Sequence, residues 1–127
     1  MANILLIEPD AVLAQVYARA LNHFGHRTCT VATAQAGINA ADDGVPDIVL
    51  LELQLVSHSG LEFLYEFRSY PEWQLVPVII LSHVPPGEFA KSIGLLKHRL
   101  NVSGYFYKPQ TSVSKLLRAV DVAAIKQ

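Results

Sequence analysis

The residues with the most distinctive chemistry each stand just past a short apolar run. Glu8 and Asp10 follow Ile4–Ile7, with Pro9 between them. Glu52 follows Ile48–Leu51, Ser82 and His83 follow Val78–Leu81, and Lys108 with Pro109 follows Tyr105–Tyr107. Carboxylates, a hydroxyl and an ammonium group gathered at one place would offer acceptors, a donor and a cation, which is the chemistry of charge pairing. A lone charge at the end of an apolar strand needs a partner or water, so Glu52 and Lys108 call for an explanation. A structural Glu52–Lys108 salt bridge is one reading, compatible with a signalling role. Asp10 alone reads equally well as a helix cap, and Ser82 as a loop hydroxyl. No Ser-His-Asp or paired-carboxylate hydrolase arrangement is present, and a non-enzymatic chain is expected.

The elements that would position these groups alternate along the chain. The runs Ile4–Ile7, Thr28–Val31, Ile48–Leu51, Val78–Leu81 and Tyr105–Tyr107 read as buried strands. Three of them are nearly continuous in Ile, Leu and Val, the pattern of strands covered on both faces. Between them run helical periods. Leu13, Val16, Tyr17, Ala20, Leu21 and Phe24 form one stripe, with Asp10 at the N-cap and Gly25 just past the end. A second helix is expected over about Ala34 to Asp42, stopping at Gly44, and a third over Gly60 to Ser69. A fourth would start at Pro85 and Pro86 and bury Phe89, Ile93, Leu96 and Leu100, with Gly94 costing roughly 1 kcal/mol. The last covers Ser112 to Ile125. Strand–helix alternation implies an α/β domain with a parallel sheet and helices on both faces. Ligands then bind beyond the carboxyl ends of the strands, and that rule brings Glu8, Glu52, Ser82 and Lys108 to one edge.

Composition narrows the class. A chain of 127 residues suits one domain spanning 1–127, and 51% apolar residues suffice for a core. Ten basic against eleven acidic residues leave no footprint for nucleic acid or an anionic membrane. The first apolar run is too short to span a bilayer and lacks a basic lead, so a cytoplasmic protein is expected. The chain ends with the last helix, and no effector domain is expected to follow. Cys29 reads as a small buried strand residue. The histidines His23, His26, His58, His83 and His98 show no ligand spacing. Trp73 reads as partial core or a surface anchor at the edge opposite the site. Period two puts Tyr105 and Tyr107 on one face and Phe106 on the other.

The segments ILLIEPD, PDIVLLELQLVSHSGLEFL, PVIILS and GYFYKP together resemble the response regulator receiver domain, and the likeness covers essentially the whole chain. The resemblance implies a doubly wound, flavodoxin-like (βα)5 three-layer sandwich with strand order 2-1-3-4-5. In that family an aspartate ending the third strand accepts a phosphoryl group from a histidine kinase. An acidic pair after the first strand holds Mg²⁺, a Ser/Thr after the fourth bonds the phosphoryl oxygen, and a lysine before an often-cis proline pairs with the charge. An aromatic residue three positions before that lysine turns inward on activation. The resemblance assigns Ser82 and Tyr105 to the switch, Lys108 to charge pairing, and Glu8 with Asp10 to the acidic pocket. Partners implied are a histidine kinase or a downstream effector, bound through the fourth helix, fifth strand and fifth helix, with homodimer pairing through the same elements. A flavin or nucleotide protein of this topology would need a phosphate loop, and Glu8-Pro9-Asp10 would repel phosphate.

Two positions depart from the family. Pro9 replaces the second acid, and Glu52 replaces the phosphoacceptor aspartate. Val56 and Ser57 stand where Pro-Gly is common, and His83 where a small residue is usual. About four extra residues, roughly one helical turn, lie between Ser82 and Lys108. Mg²⁺ demands octahedral oxygen ligands, so the set Glu8, Asp10 and Glu52 would form a weakened metal site, and no cofactor is expected. Glutamate carries its carboxylate about 1.5 Å further out than aspartate. That reach would let Glu52 meet Ser82 and Lys108 directly, either as a built-in, partial substitute for the phosphorylated state or as a lock on the inactive one. The expected function is a pseudo-receiver acting by association; the alternative is a working phosphoacceptor that takes a phosphoryl group from a histidine kinase on Glu52 or a neighbour.

Overall fold

The computed structural model describes residues 1–55, 59–87 and 94–125, with Leu95 and Ile125 described by backbone alone. The strands are β1 (Asn3–Ile7), β2 (Arg27–Val31), β3 (Ile48–Leu51), β4 (Val78–Ser82) and β5 (Val102–Tyr107). They form one parallel sheet in the order β2-β1-β3-β4-β5. The α-helices are α1 (Ala11–His23), α2 (Ala34–Asp43), α3 (Gly60–Ser69) and α4 (Val113–Ile125). The doubly wound, flavodoxin-like architecture is the one expected.

Successive strand residues point to opposite faces, and the sheet divides its apolar side chains accordingly. Leu5, Ile7, Val49, Leu51, Val78 and Ile80 pack with Ile38 of α2 and with Phe63, Leu64 and Phe67 of α3. Ile4, Leu6, Ile48, Leu50, Ile79 and Leu81 pack with Leu21 of α1 and with Leu116 and Val120 of α4. Each such side chain removed from water contributes about 1.5–3 kcal/mol, and the inner strands β1, β3 and β4 hold most of them. Tyr105 joins the first layer and Phe106 the second, as the period of two requires.

The helix ends follow their sequence signals. The Asp10 carboxylate accepts the Val12 and Leu13 N–H groups. Gly25 takes φ +92° just beyond α1, a left-handed conformation that favours glycine. Thr33 caps α2, Ser59 caps α3 and Ser112 caps α4. The fourth predicted helix falls largely outside the described residues, including Phe89 and Ile93. Its described end is a wide π-type turn, Leu95–Arg99, with Leu96 and Leu100 buried.

Three expectations need correction. Cys29 is exposed, because β2 is an edge strand with its outer side bare. Trp73 is wholly buried, in a 3-10 turn at Pro71–Trp73, with its ring on Phe67 at 5.0 Å and Phe67 on Phe63 at 5.2 Å. β5 begins three residues earlier than the aromatic run, at Val102. The Lys108–Pro109 peptide bond is trans.

Candidate functional site

The backbone delivers the carboxylates first. Glu8 N donates to Val31 O and Glu52 N to Ile7 O, which extends the ladder one residue past β1 and β3. Both side chains are then enclosed between the two core layers, Glu8 at 4% and Glu52 at 1% exposure. Lys108 reaches them from the end of β5. Its Nζ donates to Glu8 Oε1 at 2.5 Å and to Glu52 Oε1 at 2.7 Å. Burying a charge is costly unless it is paired and hydrogen-bonded, and here one ammonium serves two carboxylates.

Glu52 collects further donors. The Ser82 hydroxyl donates to Oε2, as does Gln54 N at 3.1 Å. His83 approaches Oε1 twice, through its backbone N–H at 3.3 Å and its Nδ1 at 2.7 Å. The imidazole Nε2 faces the Gln54 side-chain amide, so His83 and Gln54 bridge the loops after β4 and β3. Burial alone would raise the Glu52 pKa. The hydrogen bonds from Lys108, Ser82 and Gln54 outweigh it and hold the carboxyl at about 2. Burial likewise opposes the Lys108 cation, but Glu52 and Glu8 push its pKa above the usual lysine value. Tyr17, on the inner side of α1, is raised by burial and by the nearby carboxylates, with Lys108 opposing.

A second set of contacts leads outward from Ser82. Val84 N donates to Ser82 Oγ at 3.1 Å, and the Tyr105 hydroxyl donates to Val84 O at 2.7 Å. Tyr105 is half-buried against the α2–α3 layer. Glu52, Ser82, Val84 and Tyr105 thus form one hydrogen-bonded series between the pocket and the β5 edge.

Glu8, Glu52, Ser82 and Lys108 therefore meet, and His83 joins them. Asp10 does not: its carboxylate is exposed and spent on capping α1, and only its backbone N–H enters, donating to Glu8 Oε2 at 3.1 Å. Gln54 and Val84 were not singled out in the sequence. Gln54 enters through its backbone N–H on Glu52 and its side-chain amide on His83, and no motif in the sequence points to it. Val56, Ser57 and His58 lie outside the described residues.

A family profile described as "Response regulator receiver domain" matches residues 4–121. The chain belongs to the response regulator receiver family. This receiver domain is 34% identical over 82 residues to the KDP operon transcriptional regulatory protein KdpE of Escherichia coli (strain K12), covering 65% of this chain and 35% of that protein. It is 36% identical over 80 residues to the swarming motility regulation protein RssB of Serratia marcescens, covering 63% of this chain and 36% of that protein. The receiver chain thus spans about a third of the length of the curated relatives it matches. Among solved structures, the chemotaxis response regulator CheY4 of Vibrio cholerae superposes with TM-score 0.84 at 18% identity, over 97% of this chain and 98% of that one. A CheY-like receiver from Methanospirillum hungatei JF-1 gives TM-score 0.86 at 17% identity, over 99% and 95%. These two likenesses concern the fold.

The receiver family uses Mg²⁺, and the residues of this chain do not fit it. Pro9 offers no side-chain oxygen, and the Asp10 carboxylate is turned to α1. The oxygens of Glu8 and Glu52 already accept from Lys108, Ser82, His83 and backbone N–H groups. Among the described residues no group of three or more His, Cys, Asp or Glu side chains is placed to hold a metal. No described helix is long and apolar enough to cross a membrane.

Proposed function

We propose that this receiver domain works in phosphorelay-type signalling as a pseudo-receiver, acting by protein–protein association without phosphorylation at position 52. The observation that carries this is the engagement of Ser82 and Lys108. Both groups that the family directs at the phosphoryl group are already bonded to Glu52. In-line phosphoryl transfer depends on positioning and on neutralising charge. Here the acceptor carboxylate is buried, the lysine is shared with Glu8, and the oxygens a metal would take are occupied.

In this reading Glu52 stands in for the phosphorylated state. Its contact with Ser82 holds Val84, and Val84 O holds the Tyr105 hydroxyl in its half-buried position. A carboxylate has fewer acceptor oxygens and less charge than a phosphoryl group, so the backbone N–H groups of Gln54 and His83 add to the side-chain donors. The partner is a protein of a two-component pathway, a histidine kinase or an effector, met in the cytoplasm through the segment after β4, β5 and α4. Mg²⁺ plays no part, and nucleic acid and membrane are not partners.

The test has two arms. Wild-type protein is incubated with a small phosphodonor and Mg²⁺ and weighed intact; no added phosphoryl group is expected, and a stable adduct would favour a working phosphoacceptor. Glu52→Gln is then compared with wild type by ring resonances of Tyr105. The variant is expected to shift them, and identical spectra would end the idea that Glu52 sets Tyr105.

A further inference from the structure

Helix α4 carries two stripes. Leu116, Val120 and Ala123 enter the core. Beside them Lys115, Arg118, Ala119 and Val122, spaced by three and four residues, share a second face. That face is basic at its start and apolar further on. It forms one wall of a groove of about 960 Å³ that runs to the amino-terminal edge of the sheet, against the loops leading into β3 and β4. Small-molecule sites span about 300–1,000 Å³, so the groove is large enough to be one.

The groove is open because β5 brings little bulk to it. Ser103 is small and exposed, and at Gly104 an added Cβ would stand 2.9 Å from Phe106 Cε2. The missing side chain lets Phe106 lay its ring back along the strand. Lys115 Nζ stands over that ring, 5.7 Å from its centre. At the far end Leu75 is 88% exposed and Val122 52%. The loop that presents Leu75 is anchored, since Arg68 donates to Trp73 O at 2.6 Å and to Leu100 O at 2.8 Å. A fixed loop therefore holds a bare leucine outward. Among the described residues neither Lys115 nor Arg118 has an ion-pair partner.

Charge and lining decide the occupant. Two neighbouring cations without counter-ions suit an anionic head group, because charge-assisted hydrogen bonds are the strong ones. Asp47 does not oppose it, since its carboxylate accepts Asn3 N at 2.7 Å. Glu72 belongs to the loop across from α4, which leaves the α4 side to the negative group. An aromatic body would find the ring of Phe106 already taken by Lys115. The wall between is aliphatic, from Val76 and Ile79 to Ala119 and Val122, and suits a chain of methylenes. We propose that this groove binds a monomeric aliphatic carboxylate, its head group on Lys115 and Arg118 and its chain along Ala119 and Val122 toward Leu75. The site opens at the opposite edge of the sheet from the Glu52 pocket and is independent of the pseudo-receiver reading.

Titration of the whole chain with monomeric octanoate, decanoate and dodecanoate, followed by its amide resonances, tests it. Decanoate is expected to bind with a Kd on the order of 0.1–1 mM, moving the amides of Phe106, Ala119 and Val122 but not that of Glu52. Each two-carbon extension should tighten binding about fivefold as more methylenes leave water. The double variant Lys115→Gln/Arg118→Gln, which changes exposed residues only, is expected to bind decanoate about tenfold more weakly. Decyltrimethylammonium should bind wild type about tenfold more weakly than decanoate does, and Ala119→Leu should abolish binding by filling the groove. Amides unmoved by millimolar dodecanoate would overturn the proposal. So would an affinity indifferent to chain length or to the double variant, a cationic amphiphile bound as tightly, or capture by phosphatidylglycerol vesicles alone. A second copy seated in the groove, seen as a dimer that decanoate does not disperse, would overturn it as well.

Discussion

Lys108→Met tests the ion cluster most directly. Methionine keeps the length and packing of the side chain and removes the ammonium, leaving Glu8 and Glu52 with no cation at 4% and 1% exposure. Breaking a buried pair by removing one partner costs about 3–5 kcal/mol, and here two carboxylates lose the same partner. For a domain of this size that corresponds to a fall of about 10–20 °C in melting temperature. Calorimetry at neutral pH reads it. Adding Glu52→Gln to Lys108→Met removes one of the stranded charges and is expected to recover about 1–3 kcal/mol. The deficit should also shrink as the pH falls, because protonating the carboxylates removes the charge that lacks a partner. A Lys108→Met protein that melts within about 4 °C of wild type, or a double variant less stable than the single, would refute the account of the pocket as a cluster held by one lysine.

The Glu52 pKa in the fold, about 2 against an ordinary 4.5, makes wild-type stability depend on pH in a defined window. The contribution is complete above pH 4.5 and is lost as the pH falls from there through about 2, amounting to about 3 kcal/mol from this group; denaturant titrations of wild type and Glu52→Gln across that window should diverge, and parallel curves would contradict it. Gly60→Ala would set a Cβ 2.7 Å from Glu52 O and 2.8 Å from Leu53 Cα, both backbone atoms that cannot swing away. A loss of about 1–3 kcal/mol is expected, with a perturbed Glu52 environment in carboxyl-resolved spectra; a neutral substitution would show that this turn does not hold the pocket.

The meeting of Glu8, Glu52, Ser82 and Lys108 was legible because strand tips are located by topology alone. Once Ile48–Leu51 and Val78–Leu81 read as neighbouring parallel strands, whatever follows them shares an edge. The direction of a side chain beyond the tip is another matter. Asp10 lies one residue from Pro9 either way, but its carboxylate finds two free N–H groups at the start of α1 and turns there. The burial expected of Cys29 failed because a strand's own residues do not say whether its outer side is covered; the exposed polar neighbour Thr30 is the trace of the bare edge. Trp73 sits in a turn and has no period, so its burial follows from Phe63 and Phe67, which leave a slot only the assembled α3 layer creates. The link from Ser82 to Tyr105 runs through the backbone of Val84, and no residue type announces a backbone atom.

Glu52 is joined to the chain by carbon–carbon bonds, and water cannot take it off. A pocket filled by a transferable group keeps time, because the group arrives and leaves. A pocket filled by the chain's own carboxylate has no clock. On the pseudo-receiver proposal, its message would be turned down by making fewer copies, destroying them, or keeping them away from whatever reads them, and the level of the protein itself would become the signal.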